Sequence, residues 1–353
     1  MHLAKAVTSV LAGLLAGIAA AQAGTIGVAA PLSGSSELLG RQIEAGASLA
    51  ANANGATLMV ADDACTAEGG RAAAQKFAEA KASAVIGFLC TEAIEAALPI
   101  LKEAGIPVIT VGVRTESLTD QREKTGWPLF RLAARGDDER NAAAGILTRL
   151  WRDDLFAVID DGTIYGRELA ETVRATAEQA ALKPAFVDTF RPQMDNQIGL
   201  VGRLRKAGAT KAFVGGDGSD VAIMGRDAQQ LGADIVFAGG EALRAAHGDV
   251  PYATGTLMIA QPEWAEVADK VVLDAFAAAE IEPDGYALPA YAAVQIAVAA
   301  EASAKGDPTE ALGSGDFSTA IGPVRFDKKG DLTQNPYRAY RFNGTRFVAM
   351  ETN

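Results

Sequence analysis

TLMVADDACTAEGGRAAAQKFAEAKASAVIGFLCTEAIEAALPILKEAGIPVITVG, residues 57–112, decides the fold. Three short runs, TLMVAD, SAVIGFL and PVITVG, alternate with two stretches, GGRAAAQKFAEAK and TEAIEAALPILKEA, whose apolar residues recur at helical spacing. Runs that are apolar on both faces belong to parallel sheets covered by helices on both sides. Working outward, the same alternation extends through TIGVAA before this stretch and through LFRLAA, LFAVIDD, AFVDTF, KAFVGGD, DIVFAGG and GTLMIA after it. Helical patterns such as DDERNAAAGILTRLW, YGRELAETVRATAEQA and NQIGLVGRLRKAGA lie between them. Ten such runs are better shared between two sheets than placed in one, which predicts a doubly wound α/β protein.

The last third changes character. EWAEVADKVVLDAFAAAEIE and PAYAAVQIAVAAEASAK are long helical patterns with no strand between them, so the chain is expected to return and pack on its first sheet. IGPVRF follows, then a turn at Lys329-Gly330-Asp331, then YRAYRF and TRFVAM flanking Asn343-Gly344, a strong hairpin signal.

The N-terminus carries Lys5, an uncharged apolar run and Ala21-Gln22-Ala23 before Gly24, the pattern of a secretory signal peptide cleaved after Ala23. A membrane anchor is the rival, but the run is diluted with alanine and glycine, and no basic stop-transfer cluster follows it. The formal charge of −12 over 353 residues suits neither nucleic acid nor an anionic membrane.

In a secreted chain the two cysteines, Cys65 and Cys90, are expected to form a disulfide. Each ends a strand run, and adjacent parallel strands would bring the two ends together at one crevice. A redox pair is the alternative, but the spacing is far from C-x-x-C. The same rim gathers polar candidates. Ser33 to Ser36 follow the first strand; Thr91 opens a helix where a hydroxyl and free N–H groups favour an anion. Arg114 follows the fourth strand and can grip a carboxylate with two N–H groups. In the second half Tyr165, Asp217 and Glu241 each lie just past a strand. Singly these are ordinary caps and turn residues; their recurrence at strand ends is what suggests a ligand-facing wall.

With IGVAAPLSG, DDACTAEGGRAAAQK, VIGFLC, GIPVITVG, IDDGTIYGRELA, FAGGEA, YAAVQIAVAA and IGPVRFDKKGDL in this order, the chain resembles a known family. It is similar to the periplasmic substrate-binding proteins of branched-chain-amino-acid ABC transporters, the type I, leucine/isoleucine/valine-binding family. The resemblance covers the mature chain. It implies two doubly wound lobes joined by three crossovers, closing on a ligand. Residues 24–134 and 262–331 would form one lobe, and 135–261 and 332–353 the other. The ligand's carboxylate would meet Thr91, its ammonium the Gly112 carbonyl and Glu241, and Tyr165 and Tyr286 would line the side-chain region.

Three departures bear on the ligand. Arg114 stands where the family usually has threonine, Asp217 where an aromatic is common, and Leu39 where an aromatic often covers the ligand. Asp217 would be left unpaired by an aliphatic side chain, so an amino acid or related carboxylate with a polar side chain is expected in preference to leucine or valine. The alternative is that Arg114 and Asp217 pair with each other and leave an apolar pocket. The implied partners are the small-molecule ligand and membrane permease subunits, for a monomeric periplasmic protein without cofactor or metal. A sensory module of the same fold, or a binder of a non-amino-acid carboxylate such as an aromatic acid, is the alternative function. An enzyme fails on inventory. Only His2 and His247 are present, with no G-x-S-x-G elbow, no phosphate loop and no cluster at metal-ligand spacing.

Overall fold

All ten expected runs form strands. The computed structural model describes residues 24–245, 248–304 and 307–351; the expected leader and His247 lie outside the described residues. The first five strands are Thr25–Ala30 (β1), Thr57–Asp62 (β2), Ala84–Gly87 (β3), Val108–Thr110 (β4) and Leu129–Arg131 (β5). Phe156–Asp160 (β6), Phe186–Thr189 (β7), Lys211–Gly215 (β8), Val236–Gly239 (β9) and Leu257–Ala260 (β10) follow. Phe317–Thr319 (β11), Gly322–Val324 (β12), Arg338–Phe342 (β13) and Phe347–Ala349 (β14) complete the set. The first sheet has the order β2-β1-β3-β4-β5, all parallel, and the second β14-β13-β10-β9-β8-β6-β7. In the second, β6 to β10 are parallel and the β13–β14 hairpin adds antiparallel to β10. The chain passes between the sheets after β5, after β10 and between β12 and β13.

Alternation along the strands sorts side chains onto two faces. On the first sheet Ile26, Val28 and Ile86 face the helices Glu37–Asn54, Lys270–Ala278 and Ala287–Ser303, whereas Ala29 and Val85 face Ala67–Glu79 and Thr91–Glu103. The Ala287–Ser303 helix is apolar nearly all round, as a helix enclosed on several sides must be, and its first eight residues are all buried. Gly46 makes its close approach possible. A Cβ there would collide with the Ala287 backbone. Two strands depart from the expectation of apolar faces. β2 and β7 are sheet edges, each with one flank unpaired; β7 exposes alternate residues, and β2 exposes Thr57, Val60 and Asp62. The β11–β12 hairpin was not expected at all, because β11 is only three residues long.

Cys65 and Cys90 are bonded, with Cα atoms 5.2 Å apart. Their strands, however, are not adjacent: β1 lies between β2 and β3. The bond closes because both cysteines sit three residues beyond their strands, in loops that turn over the end of β1 through left-handed backbone at Ala64, Cys65 and Phe88. Backbone hydrogen bonds from Asp63 to Ala30 and from Phe88 to Ala29 hold both loops against β1.

The same turn buries an acid. Asp63 is inaccessible to solvent; its Oδ1 accepts from the Cys65 N–H at 2.9 Å, while Oδ2 has no partner among the described residues. Burial raises the carboxyl to about 6, the Cys65 N–H opposing and Asp62 reinforcing the shift. Because the folded state then holds a proton that the unfolded state has released, the Asp63 contribution to stability declines as pH rises from about 4 to about 6. Urea titrations of native protein and Asp63→Asn across that window are expected to diverge, with the variant gaining on the native protein as pH rises. A difference constant with pH would show the group to be unperturbed.

Candidate functional site

The carboxyl ends of both parallel sheets carry the polar loops, and a cavity of about 430 Å³ lies among them. Gly112 and Arg114 reach it from the loop after β4, Glu241 and Arg244 from the short helical turn Glu241–Arg244 after β9, Gln261 from the crossover after β10, and Tyr286 from the start of the Ala287–Ser303 helix. Trp264, Pro262 and Pro283 give it an apolar wall. A Cβ at Gly112 would strike the Leu89 side chain and crowd the Tyr286 ring, so glycine lets both pack directly on this backbone. Tyr286 is positioned from a distance in sequence: its N–H donates to Gln42 Oε1 at 3.2 Å, and Gln42 in turn donates to Asp284.

One chain of hydrogen bonds joins the two walls. Arg114 Nη2 donates to the Tyr337 hydroxyl at 2.7 Å, and that hydroxyl donates to Glu241 Oε2 at 2.9 Å. Glu139, buried in the first turn of the helix Asp138–Leu150, lies behind: it accepts from the Tyr165 hydroxyl at 2.6 Å and from the Glu241 N–H at 2.7 Å. Burial raises the Glu139 carboxyl, with the nearby Glu241 adding to the effect and the two hydrogen bonds opposing it. Burial by itself would lower the Arg114 guanidinium, but Tyr337, Glu241 and Glu139 outweigh it, and Arg114 is raised. Burial, then the adjacent acids, raises the phenols of Tyr165 and Tyr337 above their usual range. Arg114 Nε is buried with no partner among the described residues. Arg244, by contrast, is engaged by Glu263 at 2.7 Å.

Of the residues expected from sequence, Gly112, Arg114, Glu241 and Tyr286 line the cavity, while Tyr165 stands behind it on Glu139. Thr91 begins its helix as expected, but its hydroxyl is shared with Thr115 at 2.5 Å and it does not line the cavity. Leu39 and Asp217 are exposed and also lie off the lining. Asp217 is the residue preceding the helix Gly218–Gln230, and among the described residues no ion pair joins it to Arg114, whose partners are Tyr337 and the Arg135 carbonyl at 3.5 Å. Sequence reasoning missed Glu139 and Tyr337. An acid in the first turn of a helix is commonplace, and Tyr337 opens a run that reads as one half of a hairpin. No local pattern separates either from its ordinary role.

Residues 24–346 match the family described as periplasmic binding protein. An amino acid binding protein of Pseudomonas aeruginosa is 31% identical over 338 residues, covering 90% of this chain and 90% of its own. Among solved structures, an ABC transporter substrate-binding protein from Desulfitobacterium hafniense in complex with Leu superposes with a TM-score of 0.64 at 22% identity, over 92% of this chain and 99% of the other. A solute binding protein of an ABC transporter from R. palustris, in complex with 4-hydroxybenzoate, does so with a TM-score of 0.60 at 16% identity, over 93% and 95%. At these identities the structures speak to the fold, which they share over more than nine-tenths of this chain. The sequence match over nearly the whole chain carries the assignment further: this chain belongs to the periplasmic binding protein family.

Proposed function

We propose that the protein is an extracytoplasmic solute-binding protein of an ABC importer. It captures a small amino acid or related carboxylate between two closing lobes and delivers it to permease subunits at the membrane, without catalysis. The observation that carries this reading is the cavity between two sheets whose opposite walls each present a charged group, Arg114 from one and Glu241 from the other, bridged by Tyr337 of the third crossover. A ligand taking the place of water there would draw the walls together. Residues 24–134 with 262–331, and 135–261 with 332–353, are the bodies expected to move. The relatives' binding of amino acids, and of Leu and 4-hydroxybenzoate in the two structures, supports the substrate class. Export by cleavage after Ala23 completes the reading, and the mature protein would work as a monomer in the periplasm.

The test is a mass spectrum of small molecules released from the denatured, natively exported protein, followed by solution scattering of the stripped protein with and without the molecule found. A carboxylate ligand and a smaller radius of gyration on its addition are expected. Superimposable scattering curves at saturation, or turnover of the ligand, would reject the reading.

A further inference from the structure

We propose that the cleft selects a carboxylate that carries no ammonium group, mounted on an apolar body, because the Tyr337 hydroxyl already fills the Glu241 carboxylate and links it to the Arg114 cation. The inference rests on the reading of this cavity as the ligand site. A site for a zwitterion needs an acid whose charge the protein leaves unbalanced, so that the ligand's ammonium completes it. Here the Glu241 carboxylate accepts the Tyr337 hydroxyl at 2.9 Å, and the same hydroxyl accepts from the Arg114 guanidinium at 2.7 Å. Arg114 is thus joined to Glu241 through one hydroxyl, and the two charges favour each other across it.

An arriving ammonium would then be a second cation beside Arg114 in a cleft that excludes water as it closes, where like charges repel most strongly. Glu139, behind the wall and off the cavity lining, is occupied by the Tyr165 hydroxyl and the Glu241 N–H, and its burial favours the protonated form, so it offers an ammonium no contact. Arg244 is closed by Glu263 at 2.7 Å, and Asp284 is exposed at the rim. A carboxylate without an ammonium meets the opposite situation. Arg114 keeps a buried Nε with no acceptor among the described residues, and an anion at the cavity would give it one. Trp264, Tyr286, Pro262 and Pro283 offer an apolar surface for the rest of the molecule.

The deciding experiment is calorimetry on stripped, refolded native protein with acids matched in skeleton: leucine against 4-methyl-2-oxopentanoate, phenylalanine against phenylpyruvate, and benzoate as an acid that has no α-substituent. The oxo acid of at least one pair is expected to bind tenfold or more tightly than its amino acid. Arg114→Thr, which removes the internal cation and uncovers Glu241, is expected to weaken the oxo acid by at least tenfold and to strengthen the amino acid. Arg114→Lys, which keeps the charge, is expected to keep the order of preference. Amino acids that bind as tightly as their oxo acids in both pairs would overturn the inference and leave the cleft reading standing. Absence of binding by every acid in the panel would overturn both together.

Discussion

Replacing Asp331 by alanine is expected to cost the protein about 3–5 kcal/mol of stability, the range for breaking a buried ion pair from one side. Arg131, the last residue of β5, is fully buried, and its Nε donates to Asp331 Oδ1 at 2.8 Å. Its other nitrogens reach the Val113 and Thr115 carbonyls and the Thr119 hydroxyl, at 3.1, 2.8 and 2.8 Å. Those groups are neutral, so removal of Asp331 leaves a guanidinium in the interior without its matching charge. Burial holds Arg131 below its usual value even with Asp331 beside it, a sign of how far desolvation outweighs the pairing. Asp331 Oδ2 also accepts from Arg135 at 2.7 Å, and Arg135 continues to Asp137 and Asp120. The network therefore ties the first crossover to the third.

Shifts in the urea midpoint of Asp331→Ala, Arg131→Met and the double variant Arg131→Met/Asp331→Leu give the test. The single variants should lose most of the stated stability, and the double variant should recover much of it, since an apolar pair removes both desolvation costs. A single-variant loss below about 1 kcal/mol would mean that water reaches the network and the pair is not buried in solution.

Loss of the Cys65–Cys90 bond is expected to lower stability by about 3 kcal/mol in the chain-entropy account, given the separation of 25 residues. The stabilisation comes from the unfolded chain, which the bond confines. It has a native-state counterpart in the left-handed backbone of Ala64 and Cys65, conformations that non-glycine residues rarely hold without support. Neither cysteine lines the cavity, so ligand affinity should change little compared with stability. Urea unfolding of oxidised protein, of protein under a thiol reductant, and of Cys65→Ala/Cys90→Ala decides the point. A midpoint that reduction does not move would remove the bond from the stability account. Two titratable thiols in denatured, unreduced, exported protein would show that it does not form.

Periodicity and turn chemistry are local, and what they encode could be read without any fold. The ten parallel-strand runs, the helices between them and the Asn343-Gly344 hairpin all rest on neighbours within about a dozen residues. The rule that ligands gather beyond the carboxyl ends of strands pointed to Arg114 and Glu241, which line the cavity, but equally to Thr91, Tyr165 and Asp217, which do not; Gly112 and Tyr286, also on the lining, came from the family resemblance. The pairing of the cysteines was likewise legible, from their number and the compartment. What the sequence left open is whatever depends on how distant elements meet. It could not place β1 between the two strands that the cysteine loops follow, because strand order is set by which helices cover which face and by no pattern within a strand. It could not tell Asp217, exposed at a helix start, from Glu139, buried at another, since both are acids at the beginning of a helix and only the packing of a second lobe wall separates them. It gave no sign that Tyr337 would stand between Arg114 and Glu241, 223 residues from the one and 96 from the other. That contact, on which the charge balance of the cleft depends, exists because the third crossover brings the chain back through the gap between the sheets, and only the folded molecule contains that gap.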